Sequence, residues 1–107
     1  MKEQTIFAPN HVDKKSEHYV SVKKEMLKRG PPQIRAMYNG CDAWLAIEGS
    51  HRIAAAEELG LNIIILEVKP DEVISDHDFE DLSDEVKACE IWDYCDPGVD
   101  YRMELVI

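Results

Sequence analysis

The chain has 107 residues, 45% of them hydrophobic and 32% charged, which fits one globular domain with a modest core. It holds no apolar run of roughly 18 residues, the length that a membrane-crossing helix needs. The net charge of −10 opposes a broad nucleic-acid footprint, because phosphate backbones are bound by basic surface.

The charge is uneven. Residues 1–35 carry eight Lys/Arg and four Asp/Glu, whereas the remaining 72 carry four and eighteen. The first residues lack an apolar signal region, and three scattered cysteines (Cys41, Cys89, Cys95) cannot all pair within one chain, so a reducing cytoplasm is the expected setting.

Thr5-Ile6-Phe7, followed by Pro9, reads as a short strand ending in a turn. Tyr19, Val22 and Met26 recur at helical spacing, and the last turn is cationic. Gly30-Pro31-Pro32 then stops the helix, which is predicted over 19–29. Lys14-Lys15 and Lys23-Lys24-Lys28-Arg29 are the candidate basic clusters. A solvated helix face with cations near its C-terminus looks the same and is the preferred reading over a nucleic-acid footprint.

Gln33–Tyr38 alternates, Asn39-Gly40 is a turn signal, and residues 43–47 form a second apolar run, so a β-hairpin is expected. Ser50–Leu59 is rich in Ala and Glu and ends before Gly60, a helix with a C-terminal cap. Residues 62–68 resemble a buried strand. Residues 71–85 hold eight Asp/Glu and no Lys/Arg, and Phe79, Leu82 and Val86 predict a short acidic helix near 79–88. Tyr101, Met103, Leu105 and Ile107 alternate with polar residues as a closing strand. One α+β domain over 1–107 follows.

The chemistry concentrates where a strand leads through Glu48-Gly49-Ser50-His51-Arg52 into a helix. Helix N-termini expose N–H groups with no intrahelical acceptor, which suits an anion. Gly49 permits close backbone approach, Ser50 is a favoured N-cap, and Arg52 offers a planar fork matched to phosphate. A capped helix with His51 and Arg52 as surface residues is the plainer alternative. Against it, a cation in the first turn opposes the helix dipole by about 0.3–1 kcal/mol unless an anion or Glu48 compensates.

Arg35 together with Trp44-Leu45-Ala46-Ile47-Glu48-Gly49-Ser50-His51-Arg52, Ala54-Ala55-Ala56, Leu59-Gly60 and Ile63-Ile64-Ile65 resembles the ParB/sulfiredoxin superfamily over roughly residues 5–70. The resemblance implies a small mixed sheet flanked by helices, followed here by an acidic C-terminal extension over about 71–107. It further implies a nucleotide-phosphate site at Gly49, Ser50, His51 and Arg52, with Arg35 on a neighbouring strand and Lys24 or Lys28 as weaker candidates. ATP or another nucleoside phosphate is the implied ligand.

Members of that superfamily diverge in activity. Sulfiredoxins act through a cysteine where this chain has Ser50, and a hydroxyl lacks the thiolate chemistry. ParB proteins add a helix-turn-helix domain, which 107 residues leave no room for, and an Arg-Arg motif that this chain does not reproduce. DNA binding by the isolated domain is therefore not expected. Free serine kinases carry an acidic-Gly-His-x-Arg variant, from which His51 is displaced by one position.

Glu48 has two readings: a catalytic carboxylate or Mg²⁺ ligand beside the phosphates, or an ion pair with Arg52 or Arg35. A nucleotide-dependent phosphotransferase or hydrolase follows from the first. The other reading is a non-catalytic module that engages a protein partner through its acidic C-terminal region. Asp76-His77-Asp78 alone does not fix a metal geometry, and Cys89 and Cys95 have neither zinc-knuckle nor redox spacing. Trp44 and Trp92 read as core or interface anchors.

Overall fold

The computed structural model describes residues 3–40, 43–75, 82–93 and 100–107. In chain order the elements are β1 Glu3–Phe7, α1 Glu17–Arg29, β2 Gln33–Tyr38, β3 Ala43–Ala46, α2 Ser50–Leu59 and β4 Ile63–Glu67. β5 Val73–Ile74, β6 Val86–Lys87, α3 Ala88–Trp92 and β7 Asp100–Val106 follow. Among the described residues the fold is therefore mixed α+β, with one five-stranded sheet, a two-stranded ribbon and three helices.

The large sheet runs β1-β3-β2-β4-β7 and closes into a barrel. β2 and β3 form the expected antiparallel hairpin, with Met37 opposite Leu45. β1 pairs with β3, and β2 with β4, in parallel. β7 inserts between β1 and β4, antiparallel to the first and parallel to the second. The stretch after residue 70 thus does more than append to a finished core: Met103 and Leu105 are buried inside it. Ile107, expected on the same inward face, lies past β7 and is 72% exposed.

α1 starts two residues earlier than its apolar spacing shows. Ser16 takes the N-cap, its hydroxyl accepting the Tyr19 N–H at 3.1 Å, and Glu17 complements the helix dipole in the first turn. Gly30 closes the other end, donating to the Met26 carbonyl at 2.8 Å.

α2 seats Ile53, Ala54, Ala55 and Ala56 fully buried against the sheet. Tyr19 donates from α1 to the carboxylate of Glu58 on α2, and Lys23 donates to it at 2.7 Å. That pairing locks the two helices together above one hydrophobic cluster, in which Ile6, Ile34, Trp44, Ile63 and Leu105 also meet. Trp44 is an anchor as expected, its indole N–H bonded to Gln4 at 3.0 Å.

A second cluster gathers Met37, Ile47, Val68, Ile74, Val86 and Ile91, with Trp92 packed edge-on to Phe7. The short acidic helix expected near 79–88 gives way to a strand pairing and a later helix. No helix runs through 82–87: Val86 belongs to β6, paired with Ile74 of β5, and helix begins only at Ala88. The apolar spacing of Leu82 and Val86 reflects a common pull toward this cluster, which a bent chain satisfies as well as a helix does. The part of the expected helix at 79–81 lies outside the described residues. β4 is also one-sided: Ile63 and Ile65 are buried, whereas Leu66 and Glu67 are exposed. Among the described residues no helix is long and apolar enough to cross a membrane.

Candidate functional site

The turn from β3 into α2 is built on Gly49, whose φ of 79° and ψ of 30° lie in the left-handed region. A Cβ there would stand 2.7 Å from Ile34 Cδ1 and 3.2 Å from Arg52 Nη2, so both backbone and space demand glycine. Gly49 itself occupies the cap position, and no side chain caps α2. The first intrahelical bond runs from the Ile53 N–H to the Gly49 carbonyl at 2.9 Å. The N–H groups of Ser50, His51 and Arg52 therefore have no intrahelical acceptor.

Ser50 is not the N-cap that its residue type suggests. It is the first residue of α2, 7% exposed, and its hydroxyl accepts the Asn10 N–H at 3.0 Å. Its role in the fold is to hold the segment after β1 against the helix start.

Glu48 is the hub of the turn. Arg35 reaches it from β2 through Nε at 2.7 Å and also through Nη2. Arg52 reaches its other oxygen through Nη2 at 2.7 Å and bonds the Gln33 carbonyl through Nη1 at 3.0 Å. Both ion pairs that the sequence allowed are thus present at once. They also remove the oddity of a cation in the first turn, since Glu48 lies four residues before Arg52 and neutralises it.

His51 sits beside His18 of α1, the two rings edge to face with centroids 4.4 Å apart. Burial holds the imidazole of His51 below the ordinary histidine range, and the neighbouring His18 adds to the effect.

A cleft of about 600 Å³ opens between α1 and the start of α2. His18, Ser21, Glu25 and Arg29 line it from α1, with Gln33 and Arg52 opposite. Arg52 is the one predicted site residue that enters it. Gly49, Ser50, His51 and Arg35 are not part of its lining, although His51 touches the lining residue His18. Lys28 lies outside this cleft, and Lys24 lines a different groove. Of this polar α1 lining the sequence pointed only to Arg29, within a basic cluster, although residues 18, 21, 25 and 29 fall on one helical face, a polar stripe beside the apolar one.

Glu48, with each oxygen already bonded to a guanidinium, does not present a ligand to Mg²⁺ in this arrangement. Among the described residues no group of three His, Cys, Asp or Glu is placed to hold a metal ion. Asp76-His77-Asp78, Cys41 and Cys95 lie outside the described residues, and Cys89 is an exposed free thiol on α3. No family model matches the chain, and no match is found among the curated proteins or the solved structures.

Proposed function

We propose that the protein is a nucleotide-binding domain of the ParB/sulfiredoxin kind. It takes the phosphates of ATP or another nucleoside phosphate at the start of α2, through Gly49, Ser50, His51 and Arg52. The observation that carries this reading is an uncapped helix N-terminus beside a cleft of ligand size, with Arg52 and Arg29 in its wall. N–H donors with no intrahelical acceptor, the positive end of a helix dipole and the guanidiniums of Arg52 and Arg29, paired in the free protein with Glu48 and Glu25, together favour a multiply charged anion.

Binding without turnover is the form favoured here, because Glu48 is held between Arg35 and Arg52. A carboxylate in that clasp is poorly placed to activate a nucleophile. Phosphotransfer or hydrolysis would require an arriving phosphate to draw Arg52 away and release it. Loss of nucleotide hydrolysis in Glu48→Gln with binding retained would restore the enzymatic reading. No hydrolysis or transfer by the wild type leaves a binding module, with the acidic C-terminal region available to a protein partner.

The test is thermal unfolding with millimolar ATP, ADP, CTP or GTP, on wild type and Arg52→Ala, each compared with its own unliganded midpoint. Ligand at about 100 times its Kd adds about 2.7 kcal/mol, a rise of several degrees in a domain of this size. The expected result is a rise for at least one nucleotide that disappears in the variant. No rise with any nucleotide overturns the proposal, and a rise unchanged in Arg52→Ala overturns the assignment of the site.

A further inference from the structure

The outer face of α1 carries a second groove, of about 310 Å³, away from the phosphate cleft. Val20 and Leu27 lie two turns apart in it and are 43% and 67% exposed. Lys24 stands between them, with Lys14 and Lys23 beside them. Glu58, the acidic residue of the groove, is taken up by Lys23 and Tyr19, and those bonds, the Lys23 one foremost, hold its carboxyl below the ordinary range. Lys24 makes no ion pair among the described residues. The groove therefore offers two apolar anchor points with unspent positive charge beside them.

The complementary surface is on the same chain. Val73 of β5 is 59% exposed, because its neighbour Ile74 turns inward to the second hydrophobic cluster and strand alternation sends Val73 out. Among the described residues, Asp71, Glu72, Asp84 and Glu85 are exposed around this ribbon, against two cations: Lys87 across from Val73, and Lys69, which pairs with Glu67 at 3.6 Å. α1 packs on the first cluster and the β5–β6 ribbon on the second, so the two surfaces occupy different parts of the molecule.

We propose that this groove receives the β5–β6 surface of a second copy of the chain. Val73 seats between Val20 and Leu27, and the carboxylates of the ribbon meet Lys14 and Lys24. The contact uses a different patch on each partner, so it is head to tail and leaves a free groove at one end and a free ribbon at the other. Few apolar anchors and exposed charges make it weak and salt-sensitive. The inference is independent of nucleotide binding.

The test is sedimentation velocity on the whole chain over a concentration series, at low salt and at about 0.5 M NaCl, where charge interactions are screened beyond a few ångströms. Two variants separate the surfaces: Lys24→Glu with Leu27→Ser disables the groove, and Glu72→Lys with Val73→Ser disables the ribbon. All four sites are exposed, so the fold is retained, which circular dichroism checks. The wild type is expected to self-associate at low salt and dissociate at high salt, and each variant alone to associate at least tenfold more weakly. An equimolar mixture of the two variants is expected to form a one-to-one complex, because one intact groove then meets one intact ribbon. A wild type that stays monomeric at the highest concentration overturns the proposal. So does association that survives in either variant alone, or a mixture that stays monomeric.

Discussion

Glu48 and Arg52, four residues apart on either side of Gly49, are joined at 2.7 Å, and the same carboxylate holds Arg35. One carboxylate thereby ties β2 to the first turn of α2. Both partners are partly exposed, so the gain per pair is modest, but removing the shared acid leaves two guanidiniums facing each other. Glu48→Gln is expected to lower stability by about 1–2 kcal/mol. Urea unfolding measures it, and the loss should shrink in about 1 M salt as the repulsion is screened.

Gly49→Ala is expected to be worse, at about 2–4 kcal/mol, because it combines a left-handed residue with a clash. The added methyl meets the buried end of Ile34 rather than a mobile side chain alone. A fall in the denaturant midpoint with an unchanged slope checks this.

Ser50→Ala removes the acceptor of the Asn10 N–H. The expected cost is about 1–2 kcal/mol, since a part-buried donor is left without its partner. Amide exchange at Asn10 should quicken by more than at β2, which distinguishes local release from global destabilisation.

The pH dependence has a definite sign. Burial, with a smaller contribution from His18, lowers the proton affinity of folded His51 relative to the ordinary value of 6.5. Just below that value the unfolded chain binds more protons than the folded one, so stability rises with pH there. The His51 contribution is complete above the unfolded value and is lost as pH falls through 6.5 toward the depressed folded value. His51→Gln should flatten this part of a urea-midpoint profile, and an unchanged profile would refute it.

Some of this was legible in the residues. Alternation in Gln33–Tyr38 and the Asn39-Gly40 turn gave the hairpin, and the Ala-Glu run before Gly60 gave α2 with its bounds, because these signals are local. The barrel was not legible: β7 chooses β1 and β4 as neighbours through contacts far apart in sequence. At the site, the sequence offered Glu48 either Arg35 or Arg52, and only the strand pairing of β2 with β3 brings both within reach. Ser50 misled because residue type favours a cap, whereas left-handed Gly49 had already taken that place.

The placement of β7 bears on how the chain is made. During synthesis β1, β2, β3 and β4 all emerge before the strand that lies between β1 and β4, so those two edges stay open until residues 100–106 leave the ribosome. The barrel can close only after translation has passed its last strand, and until then the nascent chain carries two unpaired strand edges of the sort that chaperones cover and aggregates exploit.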